Sequence, residues 1–126
     1  MRCHIGIVLV TGFVVALSAC AAPRVISFQR DVHPILEDSC LECHTPPEGE
    51  GYRQSGLDLS NYRALMHGTV YGPVVRPRDP QRSVLLMLIE GRADASMRMP
   101  HNKDKPLPAG QIAVIRRWIS QGANDN

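Results

Sequence analysis

Residues 40–44 read Cys-Leu-Glu-Cys-His, and no other stretch restricts so strongly what this chain can fold into. Two thiols one helical turn apart, followed at once by an imidazole, suit three kinds of centre: a redox dithiol, a zinc site, or the covalent anchor of a haem. Each demands a different surrounding fold. A structural zinc needs four protein ligands and a catalytic one needs three. Cys40, Cys43 and His44 could give three, with His67 or His101 as a fourth. His44 abuts Cys43 directly, however, whereas zinc knuckles space their ligands by two or more residues. A reactive dithiol belongs at a helix N-terminus in a thioredoxin-like unit of alternating strands and helices, and the chain shows no such alternation.

The cysteine inventory narrows the choice. The chain has 126 residues, enough for one domain, and four cysteines. It opens with a positive charge at Arg2, an apolar run from Ile5 to Leu17, and then small residues. That is the pattern of a secretory signal, and the run falls short of the ~20 residues of a membrane span. The run ends Leu17-Ser18-Ala19-Cys20, which resembles the bacterial lipobox. The resemblance implies cleavage before Cys20 and lipidation of its thiol, with an ordinary cut after Ala19 or Ala22 as the alternative. Residues 1–19 are therefore read as a lipoprotein signal peptide, 20–27 as a tether and 28–124 as the folded domain. An anchor of several acyl chains holds a protein to a bilayer far better than one chain does. Ala21 stands where an inner-membrane retention signal would place Asp, which favours the outer membrane. The protein is thus expected in the periplasm, anchored to a membrane. Cys3 leaves with the leader and Cys20 takes the lipid, so Cys40 and Cys43 are the pair left for chemistry.

In an exported chain, C-x-x-C-H is the attachment signature of c-type haem. The spacing has a chemical reason. Two vinyl groups on one macrocycle edge are met by two thiols a turn apart, and the next side chain swings under the iron as its proximal ligand. Composition agrees with that reading. A formal charge of +2 leaves no basic excess for nucleic acid. Aromatic residues make up only 5% of the chain, which leaves room for another apolar body at the centre.

The rest of the chain reads as helices joined by loops. Ser27 or Asp31 can cap a first helix through about Asp38, with Pro34 tolerated in its first turn. Val32, Ile35 and Leu36 supply its apolar stripe. Residues 45–56 (TPPEGEGYRQSG) read as loop. Ser60 can cap a short helix ending at Gly68, and Asp79-Pro80 can open another that continues through SVLLMLIE to Gly91. Residues 91–107 form a further loop. Pro108 starts a last helix that runs to about Gln121 and is closed by Gly122. Ile112, Ile115, Trp118 and Ile119 share one face of it, and Trp118 reads as core. No run reads as a convincing strand.

Several of these segments carry a family likeness: FQRDVHPIL at 28–36, CLECH, Gly-Leu-Asp-Leu at 56–59, GPVV at 72–75, DPQRSVLLMLI at 79–89, Met99-Pro100, and IRRWISQGA at 115–123. Together they resemble a class I cytochrome c, in particular the small planctomycete-type cytochrome c domain. The resemblance implies an all-α fold of three to five helices, with long loops wrapped around one covalently attached haem c. Cys40 and Cys43 would form its thioethers and His44 would be the proximal iron ligand. A first and a last helix would clamp the haem, and a methionine from the late loop would lie on the far side of the iron.

For that distal position the residues offer Met97, Met99, His67, His101, His33, Met66 and Met87. Met66 and Met87 read as core, and His33 as a surface or hydrogen-bonded side chain. Met99 is preferred, because Pro100 biases it toward an extended backbone that can push the side chain inward. The family places its methionine at the same Met-Pro step and commonly continues with a second proline, where this chain has His101. His101 reads as a solvent-facing loop residue. Arg76 and Arg78, in a segment that also holds Arg82, are candidate partners for the haem propionates.

An imidazole and a thioether close both axial positions, leave no place for substrate, and raise the potential relative to two histidines. The function expected is therefore single-electron transfer between redox protein partners in the periplasm or membrane. No enzyme activity, small-molecule substrate or nucleic acid is implied. The alternatives are a haem-based sensor or ligand-binding module, and a haem subunit of a larger oxidoreductase complex.

Overall fold

The computed structural model describes residues 22–101 and 105–126, and the backbone alone of 6–10 and 13–17. Ser27 sets where the first helix begins. Its backbone is extended and its hydroxyl accepts from the Arg30 amide at 3.2 Å, while the Asp31 carboxylate accepts from the Ser27 amide at 2.8 Å. Both expected caps are thus used at once, each satisfying a donor that a helix start leaves orphaned. The Ser27 carbonyl accepts from both Asp31 (3.0 Å) and Val32 (3.3 Å), which makes Phe28–Val32 a π-helical turn. Helix α1, His33–Ser39, continues from it with Pro34 in its first turn.

Four more helices follow: α2 (Glu50–Ser55), α3 (Tyr62–His67), α4 (Val84–Ile89) and α5 (Ala109–Ser120), with a single 3₁₀ turn at Ala95–Met97. The loop expected over residues 45–56 is therefore half helix. Its glycines disguised α2, because each serves a local contact. Gly56 closes the helix with φ +72°, where a Cβ would also strike the Val70 side chain. Helix α3 is capped by Asn61, whose side chain accepts from the Ala64 amide at 3.0 Å, and not by Ser60. Asp79-Pro80 does not open α4 either. Asp79 closes a preceding turn by accepting from the Arg82 amide at 3.1 Å, and the helix begins after Ser83.

The core forms where the π turn and α1 meet α5. Phe28, Val32, Leu36, Ile115, Trp118 and Ile119 are all buried. The Phe28 ring centroid lies 5.5 Å from Trp118 and 5.3 Å from Tyr62, the latter edge-on at 75°. Each such aromatic side chain contributes roughly 1.5–3 kcal/mol by leaving water. Trp118 donates from Nε1 to the Asn124 carbonyl at 2.9 Å, and Tyr62 donates to the Ala123 carbonyl at 2.9 Å, so neither polar atom is stranded by burial. Residues 24–29 are lashed to the chain end. Phe28 N–H donates to the Asn126 side chain at 3.0 Å, and Ile26 N–H donates to Gln121 at 2.8 Å. Ile26 and Ser27, expected in the tether, are consequently buried parts of the domain.

The all-α reading holds for this domain. Extended pairing occurs instead within residues 6–17, the run expected to be a signal, where no strand was expected. Gly6–Val10 (β1) and Phe13–Leu17 (β2) pair antiparallel, from Gly6 opposite Leu17 to Val10 opposite Phe13. This run is rich in Val and Ile, whose branched side chains favour extended backbone. Ser18, Ala19 and Cys20, expected to belong to a lipobox, lie outside the described residues.

Candidate haem site

The Cys40–His44 motif continues α1 as one further turn. The Cys40 and Leu41 amides both donate to the Leu36 carbonyl, at 2.9 and 3.0 Å, and the His44 amide donates to the Cys40 carbonyl at 3.0 Å. This coiling places Cys40, Cys43 and His44 on the wall of a single cavity of about 670 Å³. Cofactor sites of roughly 300–1,000 Å³ are usual. The opposing walls come from far along the chain: Leu57 and Leu59, Val74, the α4 residues Leu85, Leu88 and Ile89, and the loop residues Met99, Pro100 and His101. Met99 is held there by its amide, which donates to the Leu88 carbonyl at 3.3 Å, and it packs against the core. Cys40 and Cys43 share no disulfide.

His44 is the buried polar group of this wall. Its Nδ1 lies 3.2 Å from the Leu57 carbonyl. A carbonyl only accepts, so Nδ1 carries the proton and Nε2 keeps its lone pair. Burial pulls the His44 pKa below the ordinary value. The Leu57 hydrogen bond opposes that pull, and the nearby His101 adds a smaller push downward. The imidazole is thus neutral at neutral pH, with a bare nitrogen, as iron ligation requires. Close backbone packing holds the ring. A Cβ added to Gly51 would lie 2.6 Å from Cε1 and 2.8 Å from Nε2 of His44. A Cβ on Gly49 would lie 2.5 Å from the Cys43 carbonyl oxygen.

Other expectations sort cleanly. Met97 is 52% exposed and does not line the cavity. His67 is exposed on a separate shallow depression beside Tyr52 and Asp58. His33 sits 3.0 Å from the Ser60 carbonyl and 3.6 Å from Glu37, the hydrogen-bonded surface role expected of it. Met66 packs against the core, Met87 is half-buried in α4, and neither lines the cavity. His101 is exposed, as expected, but it also lines the cavity rim. Arg76 and Arg78 are not among the lining residues. The Arg76 amide donates to Ser83 at 2.9 Å and the Arg78 amide to the Ile119 carbonyl at 2.8 Å, which fixes that segment against α5. Trp118 stays in the aromatic core away from the cavity wall. Among the described residues, no group of three His, Cys, Asp or Glu side chains converges as a metal cage, so the zinc alternative lacks its ligand set.

A family model for planctomycete cytochrome C matches residues 40–102, half of the chain, from the first thiol to just past His101. The chain belongs to the planctomycete cytochrome c family. No curated protein and no solved structure matches it. Cytochrome c domains carry electrons on covalently bound haem c, and the wall residues of this member fit that cofactor: paired thiols, a neutral imidazole with a bare nitrogen, a thioether, and an apolar lining. The matched span also holds what the motifs alone did not reveal, namely the Leu57 carbonyl and the close approach of Gly51. Gly-Leu-Asp-Leu at 56–59 marked the neighbourhood, but only the folded chain shows that its carbonyl meets His44.

Proposed function

We propose that this cytochrome c is a monohaem electron carrier of the periplasm, tethered to a membrane through a lipidated Cys20 and passing single electrons between redox protein partners. The observation that carries the reading is that Cys40, Cys43, His44 and Met99, separated by up to 59 positions in sequence, line one cavity. In it, Cys40 and Cys43 would hold the haem by thioethers, and His44 Nε2 and the Met99 sulfur would be its iron ligands. When bound, haem c supplies a one-electron couple whose potential a thioether ligand raises. The chain contributes the rest. Leu57 orients the imidazole, the apolar α4 residues wall the centre, and His44 and Met99 would both ligate the iron, leaving it no open position for a substrate.

Membrane attachment in this reading comes from the lipid. Among the described residues no helix is long and apolar enough to cross a bilayer. Ala21 after the lipidated cysteine favours the outer membrane.

Intact mass and a pyridine haemochrome spectrum of the exported protein test the reading together: one haem per chain, no free thiol at Cys40 or Cys43, and the mass of a lipid on Cys20. A colourless product with two alkylatable thiols overturns it. The ligand assignment has its own measurement. Met99→Ala is expected to abolish the weak near-infrared sulfur-to-iron band of the oxidised protein, while Met97→Ala leaves it unchanged. The reverse pattern would move the ligand to Met97.

A further inference from the structure

Gly51 occupies the second position of helix α2, a place where glycine is a poor choice because it resists helical order. Nothing about the turn requires it. Its φ is not in the left-handed region, in contrast to Gly56, Gly68, Gly72, Gly91 and Gly122. What requires it is the neighbour across the cavity wall. A Cβ at this position would lie 2.6 Å from Cε1, 2.8 Å from Nε2 and 3.0 Å from Nδ1 of His44. Separations under 3.0 Å force something to move, and here the obstacle is a ring rather than a flexible tail.

Neither side of that contact has freedom to yield. Helix α2 is tied to the haem motif by the Tyr52 amide, which donates to the Cys43 carbonyl at 2.9 Å. Gly51 itself is fixed by its carbonyl, which accepts from the Ser55 hydroxyl at 2.6 Å. The ring is pinned at Nδ1 by the Leu57 carbonyl at 3.2 Å, and the His44 carbonyl is held by the Leu59 amide at 2.9 Å. The imidazole is therefore caught between a hydrogen bond that sets its tilt and a bare backbone that stops it from swinging.

We infer that Gly51 is a positioning residue for the proximal ligand: its missing side chain lets the His44 ring keep its hydrogen bond to Leu57, and so sets how strongly His44 donates to iron. This rests on the reading of the cavity as a haem site. A carbonyl partner on the far nitrogen of a ligating imidazole fixes the ring and raises its basicity. A methyl at position 51 must turn the ring away from Leu57. Basicity then falls, ferric iron loses stabilisation, and the reduction potential rises.

The experiment compares the mature full-length holoprotein with Gly51→Ala and with Arg53→Ala, a change on the same helix at an exposed residue that does not line the cavity. After confirming one covalent haem in the unaltered protein, spectroelectrochemical titration reads the potential. Gly51→Ala is expected to raise the ferrous-to-ferric ratio at a fixed applied potential by about tenfold, equivalent to about 59 mV for one electron. Its His44 Nδ1 proton should also exchange with solvent much faster. Arg53→Ala should change neither. If Gly51→Ala matures normally with potential and exchange unchanged, the inference is overturned while the haem reading stands. If that variant yields no holoprotein, proton NMR of the unaltered ferrous protein decides. A strong Overhauser contact between the Gly51 α-protons and His44 Hε1 supports the inference, and its absence overturns it. Absence of haem from the unaltered protein would instead remove the reading beneath it.

Discussion

The proton on His44 is placed by a carbonyl 13 residues further along the chain. That contact and the burial around it make a prediction at the scale of this one side chain. Consider the haem-free chain, with Cys40→Ala and Cys43→Ala. In its unfolded state His44 takes up a proton near 6.5, while the folded state, whose pKa is lowered mainly by burial, takes it up only at lower pH. Below about 6.5 the unfolded chain binds more protons, so folding stability falls as pH drops and is fully present above that value. Urea midpoints at pH 8 and pH 5, with and without a further His44→Gln change, measure this. The midpoint should drop toward pH 5 by more when His44 is present; equal drops would show that His44 is not buried as described.

At the scale of elements, the helix ends separate what sequence shows from what it hides. Asn61 and Ser60 are both good cap residues, adjacent, and equal by composition. The structure chooses Asn61, whose side chain accepts from the Ala64 amide at 3.0 Å, while Ser60 belongs to the preceding turn, its N–H held by the Asp58 carboxylate at 2.9 Å. Asn61→Ala should therefore lower the unfolding free energy by about 1 kcal/mol, and Ser60→Ala by much less. Chemical denaturation of the two variants checks this, and a larger loss for Ser60→Ala would restore the sequence-based assignment. Helix α2 shows a different difficulty. Its EGYRQS sequence is short, polar on most positions and interrupted by glycine, so periodicity has no purchase on it. It forms because the motif carbonyl of Cys43 captures the Tyr52 amide in its first turn, and the Thr45 carbonyl captures the amide of Gly49, the residue before the helix. By contrast, α5 was legible from Pro108 to Gly122 because its apolar face is long enough to repeat.

At the scale of the whole molecule, two regions divide the work. The cavity between the Cys40–His44 turn and α4 gathers the residues that would hold the haem, and the aromatic cluster of Phe28, Tyr62 and Trp118 joins the first turn to the last helix. None of these three rings lines the cavity. Phe28→Ala should thus cost about 3–5 kcal/mol of stability by opening a void in a fully buried site, while the oxidised protein keeps its near-infrared band. Thermal unfolding followed alongside that spectrum tests the separation. Loss of the band in the still-folded variant would mean that the two regions are coupled. Glu90, which bridges α4 to α5 through Arg116 and also pairs with Arg92, is the polar joint between them.

The chain's own letters settled the kind of centre. Cys40, Cys43 and His44 lie within five consecutive residues, and chemistry done by so local a group is set by covalent spacing alone. That Met99 faces the cavity was legible too, because the backbone restriction imposed by Pro100 is also local. The Leu57 carbonyl, the bare face of Gly51, the place of Arg76 and Arg78 outside the cavity lining, and the burial of Ile26 and Ser27 were decided only by the fold. Each depends on where one backbone segment comes to rest against another distant in sequence. Main-chain carbonyls and amides are identical at every position, so no pattern of side chains announces which of them will meet.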